Sequence, residues 1–496
     1  MPKSSSLPPL LAMLPESRAD GARRADVPRA VALLACVLVT AAHAQMPPPP
    51  GTLRIDLVHT GGQGLEVFAI DRVVLEPLPW PGNPRRAIDD SDTGSYRFEV
   101  REPGGRLLYS RGYSTIFGEW TTTAEARDTH RSFHESLRFP RPAKPVRVVV
   151  QRRNPAQIFE TVWESIVDPD GMFVERAPPP PHALVALEEH GPPVDKVDLL
   201  LIGDGYTARD CADAFPGDAR RMIDALFRHE PFRTRRADFN VWGLCPPASE
   251  SGVARPSTGV HRRTPVGSSY DAFGSERYVL TFENRALRDV AAWAPYEFVT
   301  ILVNNETYGG GGIFNTFSTV AARNDWADYL FVHEFGHHFA GLADEYYTSP
   351  VAYEPQTVVE PWEANVTSAA DRHALKWRAL VADATPIPTP WPKEAFEERQ
   401  RDFQARRKRI REERRPESEM SALFREEQAY ATQLLGTGPH ARLVGAFQGA
   451  NYDARAYYRS QADCVMFTRD EVPFCAVCRA ALDRVIDLYA GPVPER

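Results

Sequence analysis

From Leu53 to about Pro169, apolar and polar residues alternate in short runs, the clearest being Thr52–Val58, Leu65–Val74, Tyr96–Val100 and Val146–Arg152. A period of two gives each run one apolar face, which is the mark of a half-buried strand. Trp80-Pro81-Gly82-Asn83-Pro84 and Pro103-Gly104-Gly105 supply turns between the runs. Short strands punctuated in this way predict a small β-sandwich-like domain at 53–176. Pro178–Pro181, within Ala177–Ala183, breaks the pattern and opens a linker at 177–195. Beyond it the pattern changes. Lys196–Ile202 is a mostly apolar run and Phe298–Val303 a second one, as in buried strands. Thr207–Phe227 places Ala214, Met222, Leu226 and Phe227 near helical spacing, and Trp326–Leu342 reads as an apolar helix. The expected fold class is therefore α+β, with a β-rich N-terminal domain followed by a mixed α/β domain at 196–496.

Within that second domain, Lys393–Arg415 is dense in both signs of charge and free of Gly and Pro. It predicts a helical insertion at 393–415, solvent-exposed and laced with ion pairs. At the other end of the chain, Arg23, Arg24 and Arg29 precede the apolar stretch Ala30–Val39, and Ala42-His43-Ala44 follows. This is the layout of a signal peptide over 1–44, cleaved before Gln45, with a proline-rich tether at 45–52. The apolar stretch is shorter than the roughly 20 residues a membrane span needs, so no stable membrane insertion is expected after cleavage. A secreted or periplasmic location follows. The net charge of -8 over 496 residues offers no clustered basic surface and argues against a nucleic-acid partner.

With Cys36 removed in the signal, five of the six cysteines remain: Cys211, Cys245, Cys464, Cys475 and Cys478. An oxidising compartment favours disulfides, with Cys211–Cys245 and Cys464 to Cys475 or Cys478 as candidate pairs. Cys475-Ala476-Val477-Cys478 is alternatively half of a structural zinc site or a redox pair, although no second such pair is present.

The candidate chemistry lies in the apolar helix, which reads His333-Glu334-Phe335-Gly336-His337-His338. Residues four apart stand one turn apart on one helix face, as two imidazole ligands of a single zinc require. Glu334 beside them suits a base that takes a proton from water and returns it to a leaving amine. His338 points away and is expected to be packed or hydrogen-bonded. A hydrolytic zinc needs a third protein ligand, and Gly341 ends the helix so that Asp344 or Glu345 can supply it. The other carboxylate is then expected to orient a histidine or hold the turn. Gly203-Asp204-Gly205 lacks the spacing of a nucleotide loop, and Asp204 reads as a turn or capping residue.

Several segments together resemble the IgA-peptidase-type zinc metallopeptidases, a group related to the metzincins. They are Tyr109–Trp120, Phe133–Pro140, Gly203–Thr207, Glu250-Ser251-Gly252, Tyr308–Phe314, His333–Tyr346, Pro361–Asn365, Cys464-Val465-Met466 and Phe474–Cys478. The resemblance covers roughly residues 50 to 490 and implies a metzincin-like catalytic domain. Counted from Gly341, the third-ligand position of that pattern falls on Asp344, where metzincins carry histidine. Met466 matches the methionine turn that underlies the metal in that group. Gly309–Gly312 resembles the strand that pairs with extended substrate. Tyr457 and Tyr458, shortly before the methionine turn, are candidate donors to a tetrahedral oxyanion.

Together these readings predict an exported zinc endopeptidase acting on a protein or peptide. Zn2+ is held by His333, His337 and Asp344, and Glu334 is the catalytic base. The alternatives are a secreted protein- or glycan-binding protein with a non-catalytic zinc, and a zinc amidase for small or cell-wall amides.

Overall fold

The alternating runs at the start of the chain become strands β1 (Gly51–Gly62), β2 (Leu65–Pro79), β3 (Tyr96–Arg101) and β4 (Leu107–Tyr113). After a short helix α1 (Ile116–Thr121) come β5 (Arg131–Pro140), β6 (Val146–Arg153), β7 (Phe159–Val167) and β8 (Val174–Glu175). These are seen in a computed structural model that describes residues 50–349 and 358–491. The expected signal peptide and most of the tether lie outside the described residues. Two four-stranded sheets result, in the orders β5-β1-β2-β8 and β4-β3-β6-β7. Leu53, Ile55 and Leu57 on one face of β1 share a core with Phe98, Val100, Val148 and Val150 of the other sheet.

The opposite face of β1 is also buried, but it is charged. Arg54 is fully enclosed, with Nε 2.9 Å from Asp56 Oδ1, Nη1 3.2 Å from Glu76 Oε1 and Nη2 2.5 Å from Asp289 Oδ1. Arg138 reaches from β5 to Glu76 at 2.8 Å and to the Tyr296 carbonyl at 3.0 Å. Asp289 and Tyr296 belong to the mixed region, so this ionic layer fastens the β-rich region to it.

The mixed region begins with β9 (Val185–Glu188), inside the stretch expected as a linker, and β10 (Val197–Asp204). Helices α2 (Ala208–Asp213) and α3 (Phe215–Leu226) lead to β11 (Phe239–Leu244), the short pair β12 (Ser268–Ser269) and β13 (Leu280–Thr281), and α4 (Asn284–Ala291). Strands β14 (Phe298–Val303), β15 (Gly310–Ile313) and β16 (Phe317–Ala321) precede helix α5 (Ala327–Ala340). One six-stranded sheet is formed in the order β15-β16-β14-β10-β11-β9, parallel in the middle and antiparallel at both edges. Leu199 and Leu201 face one core while Leu200 and Ile202 face another, because both sides of the sheet are covered. That is why the run carries no polar alternation. The chain closes with β17 (Val366–Thr367), α6 (Lys393–Glu412), α7 (Glu417–Gly436), β18 (Phe447–Ala450), β19 (Asp453–Arg459) and α8 (Ala476–Tyr489). The described residues form a single compact unit.

Four expectations change on detail. The helix expected across 207–227 breaks at Ala214, since Pro216 suits only the first turn of a new helix. Thr207 caps α2 through a capping box with Asp210. Asp204 is instead a buried clamp, accepting from Thr264 Oγ1 at 2.8 Å and Ser268 N at 2.9 Å. The charged helix ends at Glu412, pairs with α7 and is exposed on one side only. Phe396, Phe403 and Ile410, seven residues apart, bury its other side. Arg399 and Arg406 both pair with Glu426 on the exposed flank. Finally, Cys211 and Cys245 are disulfide-bonded, but among the described residues Cys464, Cys475 and Cys478 form no second disulfide.

Removing one member of a buried ion group strands its partners without solvent. Arg54→Ala should therefore lower the unfolding free energy of the chain by about 3–5 kcal/mol. Denaturant titration measures this, and a loss below about 1 kcal/mol would mean that the ionic layer is not what joins the two regions.

Candidate metal centre

Most residues of helix α5 are buried, and this explains why its sequence is apolar apart from Asp328, Glu334 and the three histidines. Asn324 receives the N–H of Trp326 just before it begins, and Gly341 ends it at φ 58°, ψ 41°. That left-handed conformation favours glycine, and a Cβ there would also collide with the Trp362 ring. Gly341 N donates to the His337 carbonyl at 2.9 Å, and the chain doubles back over the last turn. Asn365 then clasps Ala343 from both sides, its Oδ1 accepting from Ala343 N and its Nδ2 donating to Ala343 O, each at 2.9 Å.

This turn brings Asp344 onto the two histidines. His333 Nε2 lies 3.0 Å and His337 Nε2 3.2 Å from Asp344 Oδ1, and the two ring nitrogens are 3.2 Å apart. The other ring nitrogens are already committed. His333 Nδ1 donates to the Val465 carbonyl at 3.0 Å, and His337 Nδ1 donates to the Leu342 carbonyl at 2.5 Å. In its neutral form each imidazole then presents a bare Nε2 toward Asp344 Oδ1. Asp344 Oδ1 accordingly has no hydrogen-bond partner. Three lone pairs converge at the spacing of a tetrahedral edge, which is about 3.3 Å for ligands about 2.0–2.1 Å from zinc. The residues fit a zinc ion.

Electrostatics agree with that fit. Burial disfavours a charged His337, but the Asp344 carboxylate outweighs it and raises the ring to about 9. Burial would raise Asp344, yet the two imidazoles hold it well below the usual carboxylate range. A proton can thus serve as substitute cation in a site that otherwise repels itself, and a bound metal would displace it.

Glu334 lies on the same side, packed against β15. A Cβ on Gly310 would stand 3.1 Å from Glu334 Cγ. Burial pushes Glu334 above its ordinary value, and His333 and His337 pull it partly back. Its carboxylate faces two cavities that meet at His333, Glu334, Tyr278 and Tyr346. The larger is a cleft of about 650 Å³, walled by Tyr96, Ser114, Glu119 and Arg153 of the β-rich region as well as by Gly311, Gly312 and Trp362.

The other expected residues separate. Met466 is buried, and its sulfur packs against Gly336 between the two histidines, where a Cβ would come within 2.9 Å. His338 turns to the core, accepting from Val299 N and donating to the Ile313 carbonyl, each at 3.1 Å, and burial lowers it to about 3. Glu345 points away from the histidines, so it does not orient either of them. Tyr457 borders the cleft, whereas Tyr458 packs into the core. On its outer side Gly310 is already bonded to Arg277 O and Val279 N, which leaves the later part of β15 beside the cleft.

Sequence reading missed a polar collar around the donors. Tyr452 donates to Asp344 Oδ2 from a turn in which Asn451 and Tyr452 both have positive φ. Non-glycine residues held so are costly, and they aim this hydroxyl. Tyr346 stacks on His333 at 6.1 Å and accepts from Arg277 Nη2 at 3.1 Å. Only Tyr346, adjoining Asp344-Glu345, had a nearby motif to signal it. Arg277 and Tyr452 arrive from loops without one.

Comparison with known proteins places the chain in a family. The family described as Peptidase M64 N-terminus matches residues 48–164, and the family described as IgA Peptidase M64 matches residues 185–486. No curated protein matches the chain. The second match alone spans well over half of the sequence and includes both histidines, Glu334 and Asp344. The chain therefore belongs to the IgA Peptidase M64 family, whose members are zinc-dependent endopeptidases acting on peptide substrates.

Proposed function

We propose that this metalloendopeptidase holds zinc with His333 Nε2, His337 Nε2 and a carboxylate oxygen of Asp344, and that Glu334 is its catalytic base. The single observation that supports this most is the convergence of His333 Nε2, His337 Nε2 and Asp344 Oδ1, each within 3.2 Å of the other two. Bound there, zinc supplies Lewis acidity for the scissile carbonyl and lowers the pKa of water. Glu334 takes the proton from the attacking water on its carboxylate and delivers it to the leaving amine nitrogen. Its burial favours this double role, because a raised carboxyl holds a proton long enough to pass it on. Arg277 is a partly buried cation on the same cavity wall and favours negative charge developing on the carbonyl oxygen. In this reading it takes the role that Tyr457 or Tyr458 was expected to fill.

The same proposal includes a finer architecture: a β-sandwich-like domain at 53–176 and a metzincin-like catalytic domain at 196–496, with Met466 beneath the zinc ligands. An extended peptide would lie along Gly311–Ile313, pairing with the sheet edge, and the β-rich region would form the far wall. A cleft of about 650 Å³ suits several residues of peptide better than a small amide. A purely binding role would call for a closed metal site, and among the described residues only three candidate ligands gather here. We further propose export, on the basis of Arg23, Arg24, Arg29, Ala30–Val39 and Ala42-His43-Ala44. The Cys211–Cys245 disulfide supports it, since such bonds persist in oxidising compartments. No described helix is long and apolar enough to cross a membrane.

Glu334→Gln should keep its zinc and lose peptide hydrolysis by at least about 100-fold, the usual worth of a positioned acid–base group. Cleavage of a proteome-derived peptide library by the purified mature chain, read by mass spectrometry, is the assay. Turnover near wild type would sink the assignment. Asp344→Ala should lose bound zinc and activity together. Tyr452→Phe should keep the metal but weaken its affinity by about 10–100-fold, as is typical when a ligand's hydrogen-bond partner is removed. Metal titration of both variants checks this, and full zinc occupancy in Asp344→Ala would remove Asp344 from the ligand set.

A further inference from the structure

Glu345 follows Asp344 directly, yet it enters a different cluster. Its Oε1 lies 3.4 Å from Cys478 Sγ and 3.8 Å from Cys475 Sγ, and Cys464 Sγ is 3.9 Å from Cys478 Sγ. All four side chains are buried, and one donor atom from each lies within 4.8 Å of the others. Glu345 Oε2 has no hydrogen-bond partner there. For a tetrahedral zinc, with sulfur at about 2.3 Å and oxygen at about 2.0–2.2 Å, neighbouring donors stand about 3.5–3.8 Å apart. A disulfide would need two of these sulfurs at about 2.05 Å.

We propose that Cys464, Cys475, Cys478 and Glu345 form a second zinc site, structural in character and separate from the one on α5. Three thiolates make the site soft and select zinc over calcium or magnesium. Four protein ligands close it, which is the arrangement of a structural rather than a hydrolytic centre. The surroundings suit the negative charge such a site carries. Cys475 N donates to Cys464 Sγ at 3.2 Å, Cys478 N donates to Cys475 Sγ at 3.4 Å, and Ser460 Oγ is 3.1 Å from Cys475 Sγ. Asn365 Nδ2 donates to Glu345 Oε1 at 3.0 Å. Arg459 is fully buried nearby, held by the carbonyls of Gly449 and Ala462 and within electrostatic reach of Glu345 and Cys464. Cys475 and Cys478 open α8 and resemble one half of a paired-cysteine zinc site. The missing half comes from Cys464 and from a carboxylate more than a hundred residues earlier.

The placement gives this zinc a task. Glu345 N donates to the Met466 carbonyl at 2.9 Å, and the neighbouring Val465 carbonyl receives His333 Nδ1. A metal joining Glu345 to Cys464 therefore staples the turn that presents Asp344 to the loop that orients His333, and ties both to α8. This inference stands on the cysteine cluster and does not rest on the hydrolytic assignment.

Metal content and cobalt spectroscopy of the full chain test it. The purified protein should carry two zinc ions, and a His333→Ala/His337→Ala variant should retain one. Expressed in cobalt-supplemented medium, that variant should show a thiolate-to-cobalt charge-transfer band, which no ligand set of histidine and carboxylate can produce. Cys464→Ser/Cys478→Ser should lose the band if it folds, and the cobalt spectrum of the histidine variant decides the question if it does not. The proposal is overturned if the histidine variant binds no metal or lacks the sulfur band. It is equally overturned if mass spectrometry of the isolated protein finds two of the three cysteines joined as a disulfide, or all three as metal-free thiols.

Discussion

Two imidazoles and a carboxylate cannot be buried with their lone pairs facing one another unless something positive stands between them. At α5 that condition is imposed from outside the three residues. The Val465 and Leu342 carbonyls take the Nδ1 protons of His333 and His337, and so leave both Nε2 atoms as acceptors whenever the rings are neutral. Much of the surrounding structure maintains this arrangement. Gly341 turns the chain, Trp362 fills the space its missing side chain leaves, Asn365 grips Ala343, and Met466 underlies the helix at Gly336. Donors so constrained would accept a cation without reorganising, which is the pre-organisation that the proposed hydrolytic centre needs.

Asp344 and Glu345 are adjacent in one turn and enter two different clusters. Asp344 meets the histidines while Glu345 meets the cysteines. The backbone between them is fixed by Glu345 N bonding Met466 O and by Asn451 N bonding Asp344 O. The carboxylate of one centre cannot shift without disturbing the other, and this couples the integrity of the C-terminal helix to the geometry at α5.

The cleft is likewise a joint product. Its floor comes from α5 and β15, but Tyr96, Ser114 and Arg153 of the β-rich region form part of its wall. That wall stays in place because the charged face of β1 is locked to α4 through Arg54 and Asp289, and Arg138 is bonded to the Tyr296 carbonyl. A buried ionic layer is a weak source of stability but a specific one, since it tolerates few registers between the two regions.

The sequence by itself determined the elements whose signals are local. Period-two alternation located β1, β2, β3 and β6, apolar continuity located β10 and β14, and histidines four apart marked the face of α5 that carries the donors. Gly341 announced the turn because left-handed backbone has a residue preference that can be read directly. Tertiary structure alone decided everything that depends on residues distant in the chain. Arg277 and Tyr452 reach the site from loops with no motif. Asp204 clamps the 264–268 loop rather than capping a helix. The helix at Lys393 buries a face that its dense charge conceals. Most of all, the choice of which carboxylate, Asp344 or Glu345, faces the histidines could not come from spacing alone, since both stand at the right distance from Gly341. It was made by what waits on either side of the turn, imidazoles on one and thiols on the other, and those thiols lie more than a hundred residues further along the chain.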